Sequence, residues 1–188
     1  IKNVGMNETR IALLNAFQEM GGEIEIINKT GEFEPRADLK VKFSKLKGIN
    51  LETKLVPNLI DELPAFFIAA ARSSGSTTVR DAEELRYKES DRLEAMGNVL
   101  RSLGIEFNMY QDGMDIYGID GKNAFSSLEG KRIDSYGDHR IAMSSAIACS
   151  LINQESVIFN TDNVNTSFPT FLEISEQVGL DIRSEESL

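Results

Sequence analysis

Residues 86–92 combine side chains that can bind an anion with one that can carry a proton. Five of these seven residues are charged, and the apolar residues after them have helical spacing. Ser90 is predicted to cap that helix, whose first backbone N–H groups are unpaired and attract anions. Lys88 and Arg92 would add positive charge there, and Glu89 a proton carrier. The segment suits chemistry on a phosphorylated or carboxylated small molecule, although a solvated, salt-bridged helix start has the same composition.

A second candidate site, residues 137–140, opens another predicted helix. Asp138 is predicted to be its N-cap, which puts His139 and Arg140 in the first turn. Cations at a helix N-terminus oppose the helix dipole, at a cost of about 0.3–1 kcal/mol. Two adjacent ones, including the only histidine of the chain, suggest a function that outweighs this cost. The alternative is that Arg140 merely pairs with Asp138 or Asp134.

Asp61 is the third candidate. It lies between an apolar pair at residues 59–60 and Pro64, which fits a helix start with proline in the first turn. A carboxylate at that position can accept a proton from a substrate hydroxyl. The alternative role is a simple helix cap.

Composition excludes several classes of function. The net charge of −10 disfavours general nucleic-acid binding, which depends on neutralising phosphates. No apolar run approaches the roughly 20 residues that span a bilayer, so we expect a cytoplasmic protein without membrane contact. The single cysteine, Cys149, lies in an apolar run and indicates a buried thiol in a reducing compartment. One His and one Cys give no metal-ligand spacing, and no phosphate-binding glycine loop is present.

A repeated pattern indicates how the candidates are positioned. Three segments each run from a polar start through an amphipathic helix to a glycine stop and an alternating strand. These segments are residues 7–26, 90–107 and 167–182. A second helix type opens at Asp61 and at Asp138. Further strands are predicted at residues 39–43, 77–79, 114–117 and 156–159.

The repeated unit is therefore strand–helix–strand–helix–strand–strand. The chain holds two full-looking copies and the first half of a third. We expect a mixed α/β (α+β) fold with helices packed inside sheets, and one domain over residues 1–188. Because the chain begins at Ile1 without an initiator methionine, we expect it to be a fragment of a longer protein.

Equivalent helix starts in a repeated fold lie on one rim. The starts near Asp61, Ser90, Asp138 and Ser167 are therefore predicted to converge. Each offers a partial positive charge of up to about half an elementary charge. Such a rim, strengthened by nearby Lys and Arg side chains, concentrates a small anion on an otherwise acidic molecule.

Two long motifs, at residues 81–92 and 134–143, resemble the signatures of the 5-enolpyruvylshikimate-3-phosphate synthase family. Residues 60–64 and 167–169 also match, and the order and spacing agree along nearly the whole chain. The resemblance implies the lobe formed mainly by the C-terminal half of such an enzyme, with its repeats in a pseudo-threefold arrangement. It also implies a two-lobed protein, monomeric at full length, whose N-terminal lobe is the missing partner.

The resemblance implies an activity as well. Members of this family transfer the enolpyruvyl group of phosphoenolpyruvate to the 5-hydroxyl of shikimate 3-phosphate, in the shikimate pathway to chorismate and the aromatic amino acids. They use addition and then elimination, without a metal or organic cofactor, and glyphosate competes with phosphoenolpyruvate. Because the family's active site lies between the lobes, this chain alone is expected to be inactive.

The motifs carry the family's functional residues over one by one. By resemblance, Asp61 contacts the shikimate hydroxyls and is a candidate to take the 5-hydroxyl proton. Lys88 resembles the lysine near that hydroxyl, and Glu89 the acid/base that serves the methylene carbon. The implied substrate-binding residues are Asp61, Lys88, Arg92, His139 and Arg140. Arginine suits this task because its forked guanidinium matches phosphoryl and carboxylate groups.

Two positions depart from the family pattern, and three alternatives stay open. Some members have a lysine at the position of Thr166, and an asparagine that contacts shikimate at the position of Glu84. UDP-N-acetylglucosamine enolpyruvyl transferase has the same architecture, but it usually relies on a cysteine in the other lobe and lacks the Asp-His-Arg pattern. The full acid/base set argues against a non-catalytic domain of this fold. The acidic balance argues against an RNA 3′-phosphate cyclase.

Overall fold

In the part of the chain that the structure describes, three small β-sheets pack with a set of buried helices. The computed structural model describes residues 1–119, 125–126 and 128–185. The strands of this part are β1 (Val4–Gly5), β2 (Glu23–Thr30), β3 (Arg36–Lys42), β4 (Gly75–Val79), β5 (Glu106–Tyr110), β6 (Gly113–Gly118), β7 (Arg132–Asp134) and β8 (Val157–Phe159). The α-helices are α1 (Ala12–Glu19), α2 (Val56–Leu59), α3 (Leu63–Ala71), α4 (Arg92–Ser102), α5 (His139–Cys149), α6 (Asn163–Ser167) and α7 (Phe171–Gln177). Short 3-10 helices cover Thr53–Leu55 and Glu83–Tyr87.

The first two sheets have the same topology. Their strand orders are β1-β3-β2 and β4-β6-β5. In each sheet the strand that comes last in the sequence therefore lies in the middle and pairs antiparallel with both neighbours. In each sheet a helix, α1 or α4, connects the first strand to the second. The repeat predicted from the sequence is therefore present, and the mixed α/β class is confirmed.

A second recurring motif joins a parallel strand pair through a helix. β7 and β8 pair in parallel around α5. In the same way, bridges join Lys47 to Ser74 and Asn50 to Thr78 in parallel around α3. Residues 47–118 thus follow the predicted order strand–helix–strand–helix–strand–strand once in full. The boundaries of the copies differ from the prediction of two full copies and half of a third. One copy is full, β1 to β3 form the last part of the unit before it, and β7 to α7 form the first part of the unit after it.

Several local predictions were wrong. Residues 180–182 were expected to be a strand, but they have no regular structure. In the other two sheets the corresponding strand pairs with the strand that follows it, and no such strand follows residue 182 within the described residues. The helix expected from Ser167 begins at Phe171, after the separate helix α6. The glycine stops are correct, with positive φ at Gly21, Gly104 and Gly179.

The core is formed by α3, α4 and α5, which contact one another. Helix α3 has almost no polar residue, and Phe66 and Phe67 within it are fully buried, as expected for a helix surrounded by protein. Cys149, at the end of α5, is half-buried, and burial raises the pKa of its thiol. Among the described residues, no helix has both the length and the apolar character needed to cross a bilayer.

Candidate functional site

Arg92 is the centre of a charged cluster at the start of α4. Its side chain is only 1% exposed. Its Nε donates to Oδ2 of Asp138 at 2.7 Å, and its Nη1 donates to Oδ1 of Asp61 at 3.1 Å. Its Nη2 donates to Oε2 of Glu89, a half-exposed residue three positions earlier, in the loop before α4. A buried guanidinium needs such partners, because leaving it unpaired costs a large desolvation penalty.

Asp138 connects the starts of α4 and α5. It is fully buried and forms the predicted N-cap of α5, since its Oδ1 accepts from the backbone N–H of Arg140 at 2.9 Å. Its Oδ2 accepts from Arg92 and also from the hydroxyl of Ser90 at 3.1 Å. Burial by itself opposes ionisation, but these hydrogen bonds outweigh it and hold the pKa of the Asp138 carboxyl below its ordinary value.

Asp61, just before the start of α3, also belongs to the charged cluster, so a third helix start contributes to it. It lies in the turn before α3, where Pro64 occupies the first helical turn as predicted. Lys88 Nζ is 3.6 Å from Oδ1 of Asp61, and Arg140 Nη2 is 3.7 Å from its Oδ2. Arg140 Nη1 also donates to the Asp61 backbone oxygen at 2.8 Å. Partial burial opposes ionisation, but Arg140, Lys88 and Arg92 together keep the pKa of the Asp61 carboxyl below its usual range.

The side of the cluster opposite Arg92 is open to solvent. The Glu89 side chain is 50% exposed and that of Asp61 is 35% exposed. Lys88 forms an ion pair with Glu84. This hydrogen bond outweighs the partial burial of Lys88 and raises the pKa of its ammonium group above the ordinary value. Arginine, lysine and carboxylate groups are thus presented together on one accessible surface.

The structure brings together five of the six residues singled out from the sequence: Asp61, Lys88, Glu89, Arg92 and Arg140. The sixth, His139, lies between Asp138 and Arg140 in the first turn of α5 and is half-exposed. Within the described ranges, its side chain makes no hydrogen bond or ion pair.

The fourth helix start does not supply charge to the cluster. Ser167 is the last residue of α6, and in the described part of the chain it makes no hydrogen bond or ion pair with the charged residues. The nearest link from that region is Asn163, whose amide donates to the backbone oxygen of Gly137. Convergence is therefore observed for three of the four predicted starts.

Three members of the cluster were missed or assigned another role from the sequence. Ser90 was predicted to cap α4, but Asp91 is the N-cap and accepts from the Glu94 backbone N–H at 3.0 Å. Ser90 reaches Asp138 instead. Asp138 was predicted to be a cap or a partner of Arg140, and its pairing with Arg92 was missed because a residue 46 positions away leaves no local signal. Glu84 was noted only as a departure from the family pattern.

The charges of the cluster do not balance. Its four carboxylates, from Asp61, Glu84, Glu89 and Asp138, face three cations, from Lys88, Arg92 and Arg140. Among the described residues, no group of three or more His, Cys, Asp or Glu side chains is arranged to hold a metal ion. The cluster can orient a small anion through its partly exposed cations, Lys88 and Arg140, and exchange protons through Asp61 or Glu89.

Known proteins share both the sequence and the fold. The family model for EPSP synthase (3-phosphoshikimate 1-carboxyvinyltransferase) matches residues 1–174. The 3-phosphoshikimate 1-carboxyvinyltransferase of Petrotoga mobilis is 46% identical over 179 residues, which are 95% of this chain and 40% of that protein. The enzyme of the same name from Coxiella burnetii is 44% identical over 96% of this chain and 40% of its own. The chain therefore spans about 40% of the length of these curated relatives.

Solved structures agree with the fold described above. EPSP synthase from Acinetobacter baumannii superposes with a TM-score of 0.93 at 39% identity, over 99% of this chain and 42% of that one. The enolpyruvyl transferase NikO from Streptomyces tendae, at 16% identity and a TM-score of 0.65, covers 95% of this chain and 37% of its own and shares the fold alone. The enolpyruvyl transferase-like fold predicted from the sequence is thus confirmed. Matched over residues 1–174, the chain belongs to the EPSP synthase (3-phosphoshikimate 1-carboxyvinyltransferase) family.

Proposed function

We propose that this chain forms part of an enzyme that transfers the enolpyruvyl group of phosphoenolpyruvate to the 5-hydroxyl of shikimate 3-phosphate. The observation that carries the proposal is the cluster at three helix starts, in a member of this family. Within it the partly exposed Asp61 lies beside Lys88 and Arg140, and the half-exposed Glu89 pairs with Arg92. The reaction joins two anions and moves protons at oxygen and at carbon. The partly exposed cations Lys88 and Arg140 suit the binding of the anions, and the accessible carboxylates of Asp61 and Glu89 suit the proton transfers.

The proton transfers are assigned to two carboxylates. Asp61 takes the proton of the 5-hydroxyl as its oxygen attacks C2 of phosphoenolpyruvate, and the methylene carbon gains a proton from the acid form of Glu89. In the second stage the same carbon returns a proton to Glu89, the C2–O bond to phosphate breaks, and the vinyl double bond is restored. Asp61 gives up the hydroxyl proton to the departing phosphate, so both carboxylates return to their starting forms. Lys88, 3.6 Å from Asp61, stabilises the negative charge that develops near the hydroxyl oxygen.

Substrate binding is assigned to Arg140, His139 and Arg92, with Asp61 and Lys88 on the shikimate side. Arg140 retains exposed surface and suits a carboxylate or phosphate directly. Arg92 is already paired with three carboxylates, of which only Glu89 is half-exposed. We assign substrate binding at Arg92 to an exchange in which the anion replaces Glu89 at Nη2. The exchange would release Glu89 for its proton transfers.

The excess of carboxylates in the cluster implies that further cations come from outside this surface. Phosphoenolpyruvate and shikimate 3-phosphate both carry several negative charges, which a net anionic cluster would repel. Residues 1–188 are therefore proposed to form one lobe that works against a second, basic lobe of the same protein. The single cysteine supports a reducing, cytoplasmic location.

Steady-state assays of the full-length protein test this function. Phosphate release from phosphoenolpyruvate should require shikimate 3-phosphate, and UDP-N-acetylglucosamine should not replace it. Asp61→Asn and Glu89→Gln should each lower kcat by about a hundredfold or more, the range expected for a lost general acid or base. Glu94→Gln is the matched control, because Glu94 is exposed in the first turn of the same helix, outside the cluster. Near-normal kcat in both cluster variants would refute the assigned roles.

A further inference from the structure

The turn that precedes α5 has an unusual backbone. Tyr136 adopts φ 55° and Gly137 adopts φ 71°, so two successive residues lie in the left-handed region. Glycine accepts this conformation without strain, whereas a bulky aromatic residue there is an outlier. Such strain persists only where the surroundings impose it, and it is concentrated at functional sites. The residue that follows this pair is Asp138, the partner of Arg92.

Hydrogen bonds from the residues just before the turn and from Asn160 hold its backbone in place. The backbone N–H of Tyr136 donates to Oδ1 of Asp134 at 2.7 Å, and the same oxygen accepts from Asn160 Nδ2 at 2.8 Å. The buried Ser135 hydroxyl donates to the backbone oxygen of Asn160 at 2.7 Å. The Asp138 backbone N–H donates to the oxygen of Ser135 at 3.0 Å, which closes the turn.

The side chain of Tyr136 fixes the turn from the opposite direction. It is 49% exposed, so burial of its ring does not explain the strained backbone. Its hydroxyl accepts from Nδ2 of Asn98 at 3.0 Å. Asn98 belongs to α4, the helix that begins with Arg92. The turn is thus attached to α4 at two points, through Asn98 and Tyr136 and through Arg92 and Asp138.

We propose that Tyr136 is a positioning residue for the anion site, which holds the start of α5 against α4 so that Asp138 keeps Arg92 and Arg140 in their bound geometry. This inference rests on the proposed function for its kinetic consequence. Tyr136 touches no reacting atom in the proposal. Its effect passes through Asp138, which accepts from Arg92 Nε and from the Arg140 backbone N–H at once. A small rotation of the turn would therefore disturb both arginines together.

The test compares Tyr136→Phe, Asn98→Ala and the double variant in the full-length protein. Tyr136→Phe keeps the ring and removes only the hydroxyl. The expected result is a three- to tenfold rise in KM for phosphoenolpyruvate, with kcat within about twofold, as for a loss of binding without a change in chemistry. The double variant should show no further rise beyond Asn98→Ala, because Asn98→Ala already removes the hydrogen bond to Tyr136, together with one that Asn98 accepts from Arg101. Hydrogen exchange of the Arg92 Nε–H, followed by NMR, should be faster in all three variants.

A matched pair elsewhere provides the control. Tyr117 on β6 also accepts a hydrogen bond from an asparagine, Asn108 on β5, at 2.9 Å, on the exposed side of the second sheet. Tyr117→Phe should change neither KM nor the exchange of Arg92. Unchanged KM and unchanged Arg92 exchange in Tyr136→Phe would overturn the proposal. If the wild type has no enolpyruvyl transfer activity but its Arg92 exchange responds to Tyr136→Phe, the positioning role stands and the proposed function fails.

Discussion

At the scale of single residues, the cluster depends on the pairing of one buried cation. Arg92 spreads its donors over Asp138, Asp61 and Glu89, and only the first of these is fully buried. The pair with Asp138 is therefore shielded from solvent, whereas the other two partners remain accessible. Changes at Asp138 should therefore lower the free energy of unfolding, whereas changes at Asp61 and Glu89 should mainly lower the rate of the proposed reaction.

Asp138→Asn should destabilise the fold by about 3–5 kcal/mol, because it leaves the buried Arg92 without its charged partner. Urea unfolding measures the effect. Asp181→Asn is the matched control, since Asp181 pairs with Arg183 at 2.9 Å on the surface and both side chains are almost fully exposed. Its effect should stay within about 0.5 kcal/mol. Equal losses for the two variants would contradict the special role of the buried pair.

The depressed pKa values predict how stability depends on pH. Asp138 and Asp61 ionise more readily in the folded chain than in the unfolded chain, where an Asp carboxyl has a pKa of about 3.9. Their contribution is fully present above that pKa and is lost as the pH falls through the lower, folded value. The free energy of unfolding of Asp138→Asn should therefore fall less steeply with acidification than that of the wild type. An unchanged slope between about pH 2.5 and 5 would contradict this.

The sequence predicted which residue types gather at the site better than it predicted their partners. Charge at a helix start is a local signal, so Lys88, Glu89 and Arg92 could be recognised. The partners Asp61 and Asp138 lie 31 and 46 positions from Arg92, and no local pattern encodes such pairings. The same limit explains Ser90, which resembles a cap in the sequence but points away to Asp138 in the fold.

At the scale of helices and strands, the site depends on close packing of α3 against β6. Gly118 ends β6, and a Cβ atom placed there would lie 2.3 Å from the backbone oxygen of Ser73 and 2.5 Å from that of Ala70. Backbone atoms cannot move aside as the end of a long side chain can. Helix α3, which begins just after Asp61, can thus approach the second sheet this closely only because Gly118 has no Cβ atom.

Gly118→Ala should therefore destabilise the protein by at least about 2 kcal/mol, as expected for overpacking against rigid neighbours. Thermal unfolding followed by circular dichroism measures the loss. Gly5→Ala is the control, because a Cβ at Gly5 meets nothing within 4 Å and Gly5 has an ordinary φ. A melting temperature of Gly118→Ala within about 1 °C of the control would refute the packing argument.

Element prediction succeeded where the hydrophobic period was long enough to measure. Helices α3, α4 and α5, and strands such as β3 and β6, were all predicted within a few residues. The two-residue strand β1 has too short a pattern to be recognised. Strand β7 was also missed, although β8, which has the same length, was predicted at residues 156–159. Residues 180–182 failed for the opposite reason, since their alternation is typical of a strand but a strand also needs a neighbour to pair with.

At the scale of the whole molecule, one core cluster joins α1 through α5, whereas the anion site lies at its surface. Apart from the buried Arg92–Asp138 pair, the site contributes charged side chains that lie outside this apolar cluster. The net charge of −10 and the excess of carboxylates in the cluster make the isolated chain a poor binder of multiply charged anions. The isolated chain should therefore fold without being active.

The 188-residue chain should fold by itself and unfold in one cooperative transition, since its buried apolar residues form one main cluster. It should show no turnover with phosphoenolpyruvate and shikimate 3-phosphate, because the cations proposed for the second lobe are absent. Urea unfolding monitored by circular dichroism and by tyrosine fluorescence tests the first statement, and a phosphate-release assay tests the second. Turnover by the isolated chain would contradict the proposed need for a second lobe.

Cys149 gives the molecule a built-in reporter. The thiol is the only one in the sequence and lies at the far end of the helix whose first turn carries His139 and Arg140. Its raised pKa keeps it protonated near neutral pH, and its half-buried position slows reagents further. The rate at which a disulfide reagent modifies it thus reports changes in the accessibility of the last turn of α5. A ligand that stabilises the first turn of α5 should therefore slow the modification of Cys149 at the other end of the helix.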